Sequence, residues 1–133
     1  EATAADTGVA DAGEPEVIDV QALKPIIALA RPGRPSPLLR VISLYLDAWP
    51  EQNEKLRLAV ATSDAEAMWK VAHALKSSSA IVGAIGLSAI FKHLEALGRS
   101  GTTAGANEAF AEVERLFPRV REALLAISRE QAA

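Results

Sequence analysis

The stretch ANEAFAEVERLFPRVREALLAISRE, residues 106–130, sets Phe110, Val113, Phe117, Val120, Leu124 and Ile127 three and four positions apart. An α-helix turns by about 100° per residue, so this spacing gathers the six apolar side chains into one stripe. A stripe of that length on an otherwise polar helix is the seam of a helical bundle, because it needs other helices to cover it. Pro118, beside Phe117, is expected to bend the helix without interrupting the stripe.

Three more segments carry the same period. Leu87, Ile90, Leu94 and Leu97 define a helix from about Ala84 to Leu97, with Gly98 and Gly101 bracketing its end. Before it, Thr62-Ser63-Asp64 supplies a turn and a cap, and Asp64 opens a helix that Gly83 helps to close. Earlier still, Leu38, Ile42, Tyr45, Trp49, Leu56 and Val60 mark a long helix from Pro37 to about Ala61, capped by Ser36. Pro50 inside it predicts a kink, or two helices in close succession.

The loop Arg31-Pro32-Gly33-Arg34-Pro35-Ser36-Pro37 cannot continue a helix, since its prolines lack amide donors. Upstream, Asp19 caps a short helix expected from about Val20 to Ala30, with Leu23, Ile26, Ile27 and Ala30 on one side and Pro25 interrupting the pattern. The expected fold is all-α: an antiparallel four-helix bundle with a short additional N-terminal helix across one end.

Composition agrees. Half of the residues are hydrophobic but only 5% are aromatic, and alanine and leucine outnumber the β-branched residues that favour sheets. There is no cysteine, which excludes disulfides, thiolate metal sites and cysteine nucleophiles and fits a cytoplasmic location. No apolar run approaches the roughly 20 residues that span a bilayer, and the N-terminal residues lack the basic and apolar regions of a signal peptide, so no direct membrane contact is expected of this segment. The first residue is Glu1, from which a longer parent polypeptide is expected.

Residues 1–17 hold Glu1, Asp6, Asp11, Glu14 and Glu16 with no basic residue and read as an acidic flexible linker, leaving residues 18–133 as the folded domain. Taking those five charges from the net charge of minus three leaves plus two for the domain. Its basic residues are dispersed and not interleaved with aromatics, so nucleic acid is not an expected partner.

The chemistry lies in Ala72-His73-Ala74-Leu75-Lys76-Ser77-Ser78-Ser79-Ala80-Ile81-Val82-Gly83-Ala84. Lys76 falls one turn beyond His73, Trp69 one turn before it, and Ser77 and Ala80 flank the same line, while Met68, Val71, Leu75, Ser79 and Val82 occupy the opposite side. An imidazole, with a reference pKa of about 6.5, is a good nucleophile toward phosphorus when its reacting nitrogen is unprotonated. Lys76 is placed to offset the charge of a phosphoryl group on His73, Ser77 to add a hydrogen bond, and the small side chains Ser77, Ala80 and Ala84 leave room for a donor protein.

With a histidine, a lysine three residues on, a run of small residues and a later glycine, the segment resembles the motif of histidine-containing phosphotransfer (HPt) domains of bacterial phosphorelays. His73, Lys76, Ser77, Ser78, Ser79, Gly83 and Ala84 carry the likeness, and Leu87, Phe91, Leu94 and Glu95 resemble the helix that follows the motif. Many members have glycine where this chain has Ser77.

The resemblance implies that His73 reversibly accepts a phosphoryl group from the aspartate of a response-regulator receiver domain and passes it to another, in cis or in trans. It implies Nε2 as the modified nitrogen, Mg²⁺ on the receiver, no cofactor or metal on this chain, and docking over Trp69, Lys70, Ala80, Gly83 and Ala84. It also implies a cytoplasmic domain, expected to be monomeric in isolation, that either ends a hybrid sensor histidine kinase attached to a membrane-bound sensor or stands free, since free-standing relatives exist. No nucleotide-binding loop is present, so autophosphorylation from ATP is not expected.

Other readings compete. The serine run lacks partners for a catalytic triad, and helix-interior serines commonly bond back to a carbonyl. His93 and His73 without close carboxylates make a poor metal site. A non-phosphorylated adaptor of the same fold and a purely structural helical module are the alternatives to phosphotransfer.

Overall fold

A computed structural model describes residues 17–132. The acidic linker expected over residues 1–17 lies outside the described residues except for Val17, which is partly buried against the core.

Four long helices form the body: α2 (Pro37–Ala61), α3 (Ala65–Ile81), α4 (Ile85–Arg99) and α5 (Ala106–Ala132), preceded by a 3-10 turn (Val20–Leu23) that runs into the short α1 (Lys24–Ile27). Their connections are short, so consecutive helices return antiparallel. Around the bundle α3 lies between α2 and α4, and α5 closes the ring against α4 and α2.

Local chemistry sets most of the boundaries. Ser36 accepts a hydrogen bond from the Leu39 amide and Asp64 one from the Ala67 amide, which satisfies donors that have no partner inside their helices. Asp19 does the same for Gln21. Gly83, at φ +80°, turns the chain between α3 and α4; its carbonyl accepts from the Asp19 amide at 2.8 Å, which anchors the N-terminal segment across this end. A side chain at Gly83 would meet the Asp19 carbonyl oxygen at 2.7 Å.

Several expectations need correction. The first helix is much shorter than Val20–Ala30, and Pro25 stands in the first turn of α1, where a missing amide donor is tolerated. Of the side expected to pack, Leu23 is buried, Ile26 is half-buried and Ile27 and Ala30 are exposed. Of the two outcomes expected at Pro50, a kink or two helices in close succession, the second does not occur, since α2 runs unbroken through it; α5 is continuous through Pro118, as expected. Gly98, inside α4, and Gly101, at φ +85° beyond its last residue Arg99, bracket the helix end as expected.

The core is the union of the helix stripes. Phe91, Leu56, Met68, Leu87, Leu94, Val113 and Leu124 are fully buried. Trp49 stacks on Phe117 with ring centroids 3.7 Å apart, joining α2 to α5, and meets Tyr45 and Phe91 at a tilt of 52°, with centroids 6.0 and 6.1 Å away. Ser79, buried in α3, meets its polar requirement through the Tyr45 hydroxyl at 2.8 Å, and burial pushes that phenol up to about 12.

At Gly98, α4 lies directly against α3. A Cβ there would stand 2.6 Å from the Ala65 carbonyl oxygen and 2.6 Å from Trp69 Cβ, neither of which can swing away. Helix propensity alone would favour alanine by about 1 kcal/mol. Overpacking wins: Gly98→Ala is expected to destabilise the domain by about 1–3 kcal/mol, read as a lower urea midpoint. A midpoint equal to or above wild type would mean that the two helices are not in contact here.

Candidate functional site

The close packing of α3 on α4 creates the site. On α3, Ala72 and Leu75 are buried, and His73 and Lys76 follow each of them at the margin of that stripe. On α4, Leu87, Phe91 and Leu94 are buried, and Glu95, next to Leu94 and one turn after Phe91, is carried inward with them. Ser88 ties the helices together by donating to the Lys76 carbonyl at 2.9 Å.

Glu95 organises what lies above it. Its side chain is only 8% exposed, yet it accepts from three groups: Lys76 Nζ on Oε1 at 2.7 Å, and His73 Nδ1 and Arg99 Nε on Oε2 at 2.8 and 3.0 Å. Lys76 foremost, then His73 and Arg99, hold its carboxyl down to about 2 from the usual 4.5, against the upward push of burial. Glu95 is therefore an anion at neutral pH and can only accept.

That fixes the histidine. An acceptor-only partner at Nδ1 requires the proton on Nδ1, so in the neutral ring the lone pair resides on Nε2. The His73 side chain is 54% exposed, so the nucleophilic edge of the ring is open to a partner while the other edge is anchored.

The remaining expected site residues divide. Lys76 is not a free cation poised above the helix; its ammonium is engaged by Glu95 and its side chain is 31% exposed. Ser77 is exposed one turn beyond His73, and its hydroxyl makes no hydrogen bond among the described residues. Lys70 is exposed and pairs with Glu66 at 2.9 Å. Ala80 is half-buried.

Gly83 and Ala84, expected on the docking face, are buried, because the Asp19 segment covers their turn; they shape the end of α3 instead. Trp69 is half-buried and packs back onto α4, with the Arg99 guanidinium carbon 4.0 Å from its ring centroid. His93 is exposed.

Sequence reasoning did not assign roles to Glu95 and Arg99. A signal for Glu95 was present: a carboxylate standing on the arc of Leu87, Phe91 and Leu94 must be paired to be buried. Its partners come from another helix, so only the fold names them. Among the described residues no group of three or more His, Asp or Glu could hold a metal ion, and no helix is long and apolar enough to cross a membrane.

The chain resembles known proteins. The Hpt domain family matches residues 40–127, a span that contains His73, Lys76, Glu95 and Arg99. The chain is similar in fold to a solved structure described as the HPT domain of a sensor hybrid histidine kinase from Shewanella: the TM-score is 0.63 at 21% identity, over 71% of this chain and 82% of that one. The comparison with curated proteins gave no match. With a family match across most of the bundle, the chain belongs to the Hpt domain family, the histidine phosphotransfer domains of two-component phosphorelays.

Proposed function

We propose that His73 is the phosphoryl acceptor of this domain and that Nε2 is the reacting atom. The observation that carries the reading is the 2.8 Å bond between Nδ1 and the buried Glu95 carboxylate, which leaves the lone pair on the exposed side of the ring. In the reaction, the Nε2 lone pair attacks the phosphorus of an aspartyl phosphate on a receiver domain. The acyl-phosphate P–O bond breaks and its electron pair leaves on the aspartate.

No proton needs to move on this chain. Because Nδ1 keeps its proton, the ring gains positive charge as the N–P bond forms, and the Glu95 anion offsets that charge directly. The same charge makes the phosphorylated ring a good leaving group for the next receiver, so the arrangement serves transfer in both directions. Lys76, at the same carboxylate, is within a side-chain rotation of a phosphoryl group on His73 and is assigned to its charge, as a point cation without bidentate geometry. The metal expected in this reaction, Mg²⁺, belongs to the receiver, where it neutralises the acyl phosphate when bound.

The test is transfer itself. Incubated with a receiver phosphorylated on aspartate, the domain is expected to take up label that is acid-labile and base-stable, with ring NMR signals that place phosphorus on Nε2. Binding of phosphorylated receivers with no uptake of label would favour the adaptor reading instead.

A further inference from the structure

Glu95 divides its donors unequally. Lys76 stands by itself on Oε1 at 2.7 Å, while His73 and Arg99 share Oε2 at 2.8 and 3.0 Å. In the resting domain the ammonium assigned to the phosphoryl group is therefore already committed to a carboxylate that is 8% exposed. When Lys76 turns to a newly bound phosphoryl group, Oε1 loses its cation and Glu95 loses the partner that does most to keep it ionised. A buried carboxylate with fewer cations on it takes up a proton more readily, and a protonated Glu95 no longer requires the proton on His73 Nδ1.

Arg99 is the other permanent cation on this carboxylate. It lies one turn after Glu95 on α4 and donates to the oxygen that also holds His73. Its guanidinium is braced on the Trp69 ring at 4.0 Å, and Trp69 is itself held against α4 where Gly98 admits it, its Cβ 2.6 Å from the place a Gly98 Cβ would take. An arginine keeps its charge at any working pH and stacks on an aromatic face more readily than a lysine does.

We infer that Arg99, braced by Trp69, is a positioning residue for phosphotransfer: it remains on Glu95 and keeps the carboxylate compensated while Lys76 moves to the phosphoryl group, so that His73 stays oriented through Nδ1. This rests on the assignment of His73 as acceptor. It also gives Trp69 an internal role in place of the docking role its position in the sequence suggested.

The experiment compares wild type, Arg99→Ala, Arg99→Lys and Trp69→Leu as acceptors from a phosphorylated receiver, with the saturating rate separated from KM. Arg99→Ala is expected to lower the saturating rate about tenfold with KM changed less than about twofold, Arg99→Lys to recover most of that loss, and Trp69→Leu to lose about threefold. The Glu95 carboxyl carbon, followed by NMR, is expected to titrate at higher pH in Arg99→Ala than in wild type.

A wild-type saturating rate in Arg99→Ala, or a loss confined to KM, would overturn the inference, the second by making Arg99 a docking contact. Should Arg99→Ala melt early, Arg99→Gln gives the same comparison with a donor kept and the charge removed. Failure of wild type to accept phosphate would instead remove the acceptor assignment, and the role of Arg99 with it.

Discussion

His73→Gln should accept no phosphoryl label from any receiver, a loss of at least about 1,000-fold, while melting within about 2 °C of wild type. The amide nitrogen of glutamine has no basic lone pair, so the N–P bond cannot form. Its length and polarity nevertheless leave a donor able to reach Glu95, so the carboxylate is not stranded. The side chain is 54% exposed and the core beneath it, Ala72 and Leu75, is untouched, which is why the fold should not register the change. The chain has only two histidines, so His93→Gln is the matching control and should transfer like wild type. Label retained by His73→Gln and lost from His93→Gln would move the acceptor to α4 and discard the reading of Glu95 along with it.

The sequence made the four long helices and their caps legible because those features are local. Ser36, Asp64 and Asp19 act on amides two or three residues away, and the apolar stripes need only the helical period to be seen. Errors arose where a residue's meaning depends on a neighbour from another element. Gly98 has the look of helix punctuation, yet it is a contact point with Ala65 and Trp69 on α3. Gly83 and Ala84 belong to a motif that suggested a docking face, but the Asp19 segment lies over them. Pro25 reads as an interruption of an eleven-residue helix, whereas it stands in the first turn of the four-residue α1, and Ile27, expected to pack, is 41% exposed. For the site, the one-turn offset of His73 and Lys76 was visible, whereas the carboxylate that joins them comes from a different helix, 22 residues after His73. Periodicity assigns a face to each residue. It does not say which faces meet.

Glu95→Gln should slow transfer to His73 about 100-fold, equivalent to about 2.7 kcal/mol of lost transition-state stabilisation. Glutamine is nearly isosteric and keeps one acceptor oxygen, but its amide group would face either Lys76 or the pair His73 and Arg99, donor against donor. More important, the anion that offsets the charge growing on the ring is gone. Stability should fall by only about 1–3 kcal/mol at neutral pH, less than for a pair buried on both sides, because Lys76 and Arg99 are 31% and 52% exposed and can turn to water. The pH dependence separates this loss from a packing defect. The Glu95 carboxyl is held near 2 in the folded chain against its usual 4.5, so its stabilising contribution is complete above about pH 4.5 and disappears as the pH falls toward 2. Wild type and Glu95→Gln should therefore differ in urea midpoint at pH 7 and converge as the carboxyl protonates. A stability difference that persists unchanged at pH 2 would mark a steric defect, and a variant that transfers phosphate at the wild-type rate would show that His73 needs no anion behind it.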